Sequence, residues 1–401
     1  MNDEIVLRDY QAIRHGLRSR ALAQALYDSS GVLMSDVLLT LHGDEHLRRR
    51  RIENRLFRRG TFRYYERNLV PGLIEEALAP SVAAGCGDLL PLGHRTTMNL
   101  TALVAGVDRV RGDDAESDLL YHYVVRFSDA ATLVHSKREH DAVRVEAAVA
   151  LEEFERDFFA QSLARRQELV ADFRADRLAE DELPRDVLTA LLVSQEELGL
   201  DHDAIRREVA FYLQAGSHSS ANAFTHAVDD LFGWFVDHPE DRARAVEDTA
   251  FLQRCVHESM RLNPASPVAW RRAIEDTEVA GCPVHSSAKV VFDLHAANRD
   301  ESVFGADADR FNPYRTTPPA VPAWGQTFGG GMHSCIGQEL DAGVAPRPGD
   351  APENQVYGTI PLMVAAVLRH GAVPDPEHPP RLDLESERPH FASYPILFDA
   401  V

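Results

Sequence analysis

A short segment near the C-terminal end of the chain combines one cysteine with closely spaced glycines. Residues 328–337 read Phe-Gly-Gly-Gly-Met-His-Ser-Cys-Ile-Gly, so that Cys335 lies between Gly331 and Gly337. A cysteine thiolate can ligate haem iron and donate electron density to it. Backbone that runs close under a flat macrocycle needs glycine where a side chain would collide or where φ is positive, and we expect this of Gly331 and Gly337. The segment predicts Cys335 as the axial ligand of a haem iron.

The neighbours of Cys335 suit the same chemistry. Phe328 can shield a thiolate from water, His333 can reach a haem propionate, and backbone N–H groups directed at the sulfur would tune its donor strength. The alternative is a glycine-rich surface turn that contains a buried cysteine. The full pattern Phe-x-x-Gly-x-His-x-Cys-x-Gly is far more specific than a lone Gly-x-x-x-Cys-x-Gly. It resembles the haem-binding loop of the cytochrome P-450 family in its bacterial soluble form.

A second motif lies on a predicted helix upstream of this loop. Glu258 and Arg261 have the spacing Glu-x-x-Arg, which places both side chains on one helical face, and a Leu-Asn-Pro helix stop follows. The pair resembles the Glu-x-x-Arg of the family's K helix, whose partner is a later arginine. Arg310 is the first candidate for this partner and Arg315 the second. The resemblance implies a structural role, in which the three residues hold the segment on the haem side in place.

Three cationic side chains are candidates for binding the haem propionates. His46 and Arg50 lie at i and i+4 on one face of a predicted helix. They resemble the His-x-x-x-Arg of the family's C helix, and Arg271 resembles the arginine that follows the K helix. The other arginines of the run 48–51 are expected on a solvated face. This stretch is expected to form part of the proximal surface on which an electron donor docks.

The helix predicted over residues 202–237 resembles the family's I helix, which crosses above the haem. The resemblance implies that Ala215 and Gly216 lie against the macrocycle. The family usually has an acid and then an alcohol after this pair, whereas this chain has His218 and Ser219. We expect Ser219 to steer protons to the reacting oxygen. His218 can relay protons, since imidazole has a pKa of about 6.5, or it can point into helix packing and relay nothing.

Composition restricts the partners and the compartment. The chain has 401 residues and a net charge of −21, which argues against binding to nucleic acid or to an anionic membrane surface. It has no run of about 18 apolar residues and no signal peptide. Its four cysteines have neither zinc-site spacing nor an obvious disulfide framework, and Cys255 is expected in the core. The default location is the cytoplasm.

Hydrophobic periodicity predicts a mainly helical fold with a minor β portion clustered after the K helix. The resemblance implies the cytochrome P-450 fold, a helix-rich triangular prism with haem between the I and L helices. The ranges predicted as helical are 5–18 (with a short strand), 44–58, 62–83, 94–107, 117–135, 140–172, 202–237, 239–248, 249–262 and 357–369. Residues 19–42 are expected to form an apolar loop over the substrate, 266–296 to be β-rich and 381–399 to be extended.

We expect a single domain over 1–401, because no linker or internal repeat divides the chain. His46 falls roughly fifty residues earlier than its family counterpart, judged by the usual domain length. Either the start codon lies upstream, or this is a subtype shortened at the N-terminus with a more exposed distal pocket. Three prolines within 343–352 interrupt the helix that follows the ligand loop in the family, and we expect this insertion to reshape the proximal face.

The resemblance implies a haem-thiolate monooxygenase with haem b that acts on O2 and a small, largely apolar organic substrate, and the expected role is in specialised (secondary) metabolism. Electrons would come from a ferredoxin and its reductase. Alternatives are a peroxide-driven or non-oxygenating haem-thiolate enzyme, and a silent haem-binding or carrier-recruiting module. The substrate-pocket residues expected from position are Val32, Leu33, Met34, Leu38, Phe211, Ala215, Val268 and Ala269.

Overall fold

The structure is a computed structural model that describes residues 4–345, 351 and 354–398. The predicted domain limits at 1 and 401, the end of the extended tail and most of the proline-rich insertion lie outside the described residues. The helices are α1 Tyr10–Gly16, α2 Gly31–Met34, α3 Gly43–Glu53, α4 Arg59–Asn68, α5 Val70–Ala84, α6 Leu89–Ala105, α7 Asp114–Ala131, α8 His140–Phe154, α9 Ala160–Arg174, α10 Val187–Val193, α11 Gln195–Leu198, α12 His202–Asp237, α13 Pro239–Glu247, α14 Thr249–Leu262, α15 Leu294–Ala297, α16 Glu301–Phe304, α17 Gln338–Asp341 and α18 Thr359–Arg369.

The strands are short and form small sheets. They are β1 Glu4–Leu7, β2 Leu22–Gln24, β3 Cys86–Asp88, β4 Val268–Ala273, β5 Thr277–Val279, β6 Cys282–Val284, β7 Lys289–Asp293, β8 Val373–Pro374, β9 Arg381–Leu382, β10 Phe391–Ser393 and β11 Pro395–Leu397. The largest sheet has the order β1-β7-β4-β2, with β1 parallel to β7 and the other pairs antiparallel. Its register places Gln24 opposite Arg271, so that a strand from each end of the chain meets at the site described below.

Helix α12 runs through the middle of the fold and packs against α6, α7, α14 and α18. It begins where the Asp201 carboxylate accepts a hydrogen bond from the N–H of Ala204 at 2.7 Å, which satisfies a free donor of the first turn. It ends at Asp237, His238 caps it, and Pro239 starts α13 in a position that proline favours. Both large hydrophobic clusters contain side chains of α12, so this helix divides the core and faces the cavity along its middle turns.

The predicted mainly helical class with minor, clustered strands is confirmed, and α12 has the predicted bounds of 202 and 237. The range 62–83 was wrong as one helix, because α4 ends at Asn68 and α5 starts a new direction with proline in its first turn. The range 140–172 is continuous but contains one π-helical turn, Glu155–Phe159. In the part of the chain that the structure describes, no helix is both long and apolar enough to cross a membrane.

Candidate functional site

A cavity of about 340 Å³ lies between α12 and the loop that precedes α17. Cys335 is on its wall, and the exposed surface of this side chain faces the cavity rather than the outside of the protein. The N–H of Cys335 donates to the carbonyl of Phe328 at 2.9 Å and closes the loop. The Cys335 sulfur accepts hydrogen bonds from the backbone N–H groups of Gly337 and Gln338. These donors would stabilise a thiolate at this position.

Burial raises the pKa of the Cys335 thiol to about 11, with a further contribution from Asp341. The free thiol is therefore protonated at neutral pH and is not a reactive nucleophile. A metal cation changes this balance, because it removes the proton from a thiol that coordinates it. Cys335 is thus suited to metal ligation and poorly suited to covalent catalysis.

Two histidine rings, one in the cysteine loop and one on α3, contact each other at the cavity. The rings of His46 and His333 meet edge to face, with 4.7 Å between centroids, and all four ring nitrogens are buried without a hydrogen bond among the described residues. Burial lowers the pKa of His46 to about 4 and that of His333 to about 3. Both imidazoles are neutral at pH 7, and each has an N–H donor available to an oxygen of a bound group.

Two arginines complete this cationic side of the cavity. Arg50 donates from Nη2 to the carbonyl of Ser334 at 2.8 Å, and Arg271 donates from Nη1 to Oε1 of Gln24 at 2.7 Å. No carboxylate of the described chain pairs with Arg271, and burial lowers its pKa to about 10. A cavity with unpaired cations, unpartnered imidazoles and a thiol fits haem, whose propionates are the missing anions and whose iron takes a thiolate.

The two loop glycines have different surroundings from those expected. Gly331 has φ +66°, and a Cβ there would overlap the backbone carbonyl of Leu17, so both its own backbone conformation and the turn that follows α1 require glycine. Gly337 lines the cavity, but its φ is −89° and a Cβ there would meet no protein atom. Positive φ, one of the two expected reasons for glycine, is therefore present at Gly331 but not at Gly337, where close approach to a macrocycle stays a prediction. Phe328 lines the cavity and packs edge to face on Trp324.

The middle turns of α12 form the opposite wall. Ala215 and Gly216 line the cavity, and a Cβ on Gly216 would overlap Thr101, so glycine also permits close packing of α6 on α12. Ser219 lines the cavity and donates from Oγ to the carbonyl of Ala215 at 2.6 Å. The expected juxtaposition of this wall with Cys335 is thus present in one cavity.

His218 also lines the cavity, and it is engaged with a residue that the sequence analysis missed. Nη2 of Arg388 lies 3.3 Å from Nε2 of His218, which accepts the hydrogen bond because a guanidinium can only donate. Burial, then the charge of Arg388, then His94 lower the pKa of His218 well below its usual value. The imidazole is neutral, with its proton on Nδ1. No motif or hydrophobic pattern in the sequence marks Arg388 as a cavity residue, because it lies in a polar loop between β9 and β10.

Four of the residues expected in the substrate pocket line the cavity besides Ala215, and three do not. The four are Leu38, Phe211, Val268 and Ala269. The assignment of Val32, Leu33 and Met34 was wrong, because these residues form the short helix α2. Leu33 and Met34 point into the core, and Val32 packs on a small cluster around Leu133.

The Glu-x-x-Arg pair forms a buried network away from the cavity. Arg261 donates to both carboxylate oxygens of Glu258, at 2.8 Å from Nε and 2.7 Å from Nη2. The third member is Arg315, whose Nε lies 2.9 Å from Oε1 of Glu258. The first choice, Arg310, was wrong, because it contributes only its backbone carbonyl to the guanidinium groups of Arg261 and Arg315.

The run of arginines on α3 differs from expectation at one position. Arg49 is buried and forms an ion pair of 2.7 Å with Glu208 of α12, whereas a solvated position was expected. Arg48 and Arg51 are exposed as expected. The i and i+4 face with His46 and Arg50 points to the cavity, so Arg49 is turned toward α12 instead.

Comparison with known proteins agrees with this geometry. The family model described as "Cytochrome P450" matches residues 150–341. Nocardicin C N-oxygenase of Nocardia uniformis subsp. tsuyamanensis is 30% identical over 316 residues, which cover 76% of this chain and 68% of that protein. Luteothin monooxygenase of Streptomyces thioluteus is 35% identical over 160 residues, 39% of this chain and 37% of that protein. The match therefore spans little more than a third of the latter relative's length.

Solved structures share the fold over nearly the whole chain. CalO2 superposes with a TM-score of 0.74 at 18% identity and covers 98% of this chain and 90% of its own. P450BioI, solved in complex with an acyl carrier protein ligated to hexadec-9Z-enoic acid, has a TM-score of 0.72 at 16% identity and covers 98% and 92%. At these identities the likeness establishes the fold alone.

Proposed function

Because the chain belongs to the cytochrome P450 family, we propose that it is a haem-thiolate monooxygenase. It inserts one oxygen atom from O2 into a small, largely apolar organic substrate. The observation that carries this proposal is the thiol of Cys335, which faces a cavity with unpaired cations on one side and the middle turns of α12 on the other. When bound there, haem supplies the redox chemistry of oxygen activation.

Residues on the cysteine side of the cavity would bind the haem. Cys335 would hold the iron, while His46, Arg50, Arg271 and His333 would bind the propionates through charge-assisted or neutral hydrogen bonds. The backbone N–H groups beside the sulfur would withdraw negative charge from a thiolate, and Phe328, which lines the same cavity, would shield it from water. The anchoring groups thus lie on three separate elements, α3, β4 and the cysteine loop.

The wall opposite the cysteine loop provides an apolar surface for the substrate and the side chains that can donate protons. Leu38, Phe211, Val268 and Ala269 give an apolar surface that excludes water from a bound hydrocarbon. Ser219 holds a hydroxyl proton at the cavity wall and can exchange its donation to Ala215 for donation into the cavity. His218 is neutral and accepts from Arg388, so it positions that guanidinium, and proton relay would have to pass through its Nδ1–H.

We further propose haem b as the cofactor, a single P450 domain, and a ferredoxin with its reductase as the electron source. The exposed arginines Arg48, Arg51, Arg55 and Arg58 follow α3 and the loop after it, in a chain whose net charge is −21. Arg50 of the same helix contacts the cysteine loop, so this basic surface adjoins the site and suits an acidic electron carrier.

The free thiols fit a reducing compartment such as the cytoplasm. A role in secondary metabolism is supported by the names of two relatives, luteothin monooxygenase and nocardicin C N-oxygenase.

The test begins with the purified holoprotein. We expect a thiolate-type Soret band for the reduced, carbon monoxide-bound form, and NADPH consumption that depends on O2 when ferredoxin and its reductase are added. Cys335→Ser should lose the thiolate band, whereas Cys282→Ser, at an exposed position, should keep it. A normal band in Cys335→Ser would refute the ligand assignment. Product formed only with peroxide, or a thiolate band with no turnover from either oxidant, would refute the monooxygenase proposal.

A further inference from the structure

Arg388 occupies an unusual position in the cavity wall, between β9 and β10. It is 8% exposed and lines the cavity. Nη2 donates to Oγ1 of Thr132 at 3.1 Å and to Nε2 of His218 at 3.3 Å, and Nη1 lies 3.4 Å from the carbonyl of Ala265. All of these acceptors are neutral. The guanidinium is held in place without an anion.

The charge of Arg388 has no partner in the part of the chain that is described. The ionisable groups that act on it are Tyr27, then Asp383 and Asp129. Burial raises the pKa of Tyr27, so it is a neutral phenol, and neither carboxylate forms an ion pair with Arg388. Asp129 pairs instead with Arg138 at 3.0 Å, and Asp383 accepts from the N–H of Glu385 at 2.8 Å. A buried cation without a counter-ion is unfavourable, and proteins retain such groups where a ligand supplies the missing charge.

Two donors beside this charge are also free. Nε of Arg388 and Nε2 of His135 are buried and have no hydrogen-bond partner among the described residues, and both side chains line the cavity. Burial and then the charge of Arg388 lower the pKa of His135 to about 4, so His135 is neutral and contributes a donor but no charge. One positive charge with two free N–H groups matches the oxygens of a carboxylate.

The rest of the cavity fixes the shape of such a ligand. Apolar side chains, among them Leu38, Phe211 and Val268, line the same cavity as Arg388 and Cys335. A carboxylate matches the single positive charge of Arg388, whereas a dianionic phosphate would need a second guanidinium or ammonium group beside it. A monoanion is therefore favoured over a phosphate ester.

We propose that the substrate is a hydrophobic carboxylic acid whose carboxylate binds Arg388 and His135 and whose apolar body extends toward Cys335. This inference rests on the proposed function, and it adds the chemical class of the substrate. Arg388 is a specificity-determining residue that fixes the end of the substrate remote from the cysteine. His218 and Thr132 are positioning residues for its guanidinium.

The experiment compares acids with their neutral counterparts on the intact holoprotein. Hexanoic, octanoic, decanoic and dodecanoic acids and the corresponding primary amides are titrated by calorimetry, which detects binding whether or not the iron spectrum changes. In the wild type we expect the best acid to bind roughly ten- to a hundredfold more tightly than its amide, as hydrogen bonds to a charged group imply. Arg388→Gln should bring this ratio close to one, and Arg388→Lys should retain part of it.

Arg381→Gln is the matched control, because Arg381 lies on the same hairpin, is exposed and is absent from the cavity wall. It should leave the ratio unchanged. The wild-type comparison tests the proposal even if Arg388→Gln fails to fold. If no acid binds the wild type more tightly than its own amide does, the proposal is overturned. An unchanged ratio in Arg388→Gln, or loss of haem from this variant to the extent seen in Arg271→Ala, overturns it as well. The thiolate band of the same samples shows separately whether the proposed function stands.

Discussion

Arg315 donates from Nε to Oε1 of Glu258 across 2.9 Å, although 57 positions separate the two residues in the chain. The same carboxylate binds Arg261 through both of its oxygens, and the side chains of Glu258 and Arg315 are each only 5% exposed. Arg315 also pairs with Asp307, whose pKa falls to about 2 because of this contact. The network ties α14 to the irregular segment after α16.

Breaking this network should prevent stable holoprotein from forming. Glu258→Ala should lower the free energy of unfolding by roughly 3–5 kcal/mol, because it leaves the buried guanidinium of Arg261 without a carboxylate. Arg261→Ala and Arg315→Ala should each lower it by less, because Glu258 keeps the other arginine. Haem per polypeptide and urea unfolding provide the measurement. Arg310→Ala is the control and should behave as the wild type, since only its backbone participates. A severe loss in Arg310→Ala with a normal Arg315→Ala would reverse the assignment.

Removing the cationic side chains of the cavity should weaken haem retention. His46→Ala, Arg50→Ala and Arg271→Ala each remove a donor for a propionate, and we expect faster transfer of haem to apomyoglobin in each variant. Arg48→Ala serves as the control, because Arg48 lies on the same helix as His46 but is exposed. Transfer rates equal to that of Arg48→Ala in all three variants would show that the propionates bind elsewhere.

Ser219 should matter more for coupling than His218. Ser219→Ala removes the hydroxyl at the cavity wall, and a well-placed proton donor is worth roughly 10²–10⁴-fold in rate. We expect the fraction of NADPH electrons recovered as peroxide to rise. His218→Phe should have a smaller effect, since the imidazole is neutral and its Nε2 already accepts from Arg388. A larger uncoupling in His218→Phe than in Ser219→Ala, at unchanged substrate affinity, would contradict this order.

The pH dependence of stability should contain a contribution from His257. Burial lowers its pKa to about 4, against an ordinary value of 6.5, while Nε2 donates to the carbonyl of Ala342 at 2.7 Å. Between these values the unfolded chain takes up a proton that the folded chain does not, so stability is lost as pH falls from 6.5 toward 4. The loss at about pH 5 amounts to about 2 kcal/mol.

The variant His257→Gln keeps a donor for Ala342 and removes this titration. Urea unfolding of both proteins at neutral and at mildly acidic pH measures the effect. The stability advantage of the wild type should shrink on acidification by the amount given above. A constant difference between the two proteins across this pH range would mean that the histidine does not titrate in this way.

The sequence predicts best those features that are local. The bounds of α12 follow from a capping aspartate at one end and a proline just beyond the other, and the cysteine loop follows from ten contiguous residues. The local sequence does not decide between Arg310 and Arg315 as the partner of Glu258. Both follow the helix at similar spacing, and only the turn after Asn312 decides which guanidinium reaches Glu258.

Features that depend on tertiary packing were harder to predict. Leu33 and Met34 are apolar and close in sequence to Leu38, which does line the cavity, but the short helix α2 turns them into the core. Arg388 lies in a loop with charged neighbours, and such an arginine is usually solvated. Its burial results from contacts with Thr132 and Ala265, which are more than a hundred positions away in the chain.

The close approach of Gly331 to Leu17 has a consequence for the order of folding. The two residues come from opposite ends of the chain, and the backbone of the first helix's last turn lies where a Cβ of residue 331 would be. Contacts between such distant positions close late, because the intervening chain must first lose its entropy. We therefore expect the cysteine loop to acquire its final shape only after the N-terminal segment has docked, so that the cofactor site of a nascent chain is completed late.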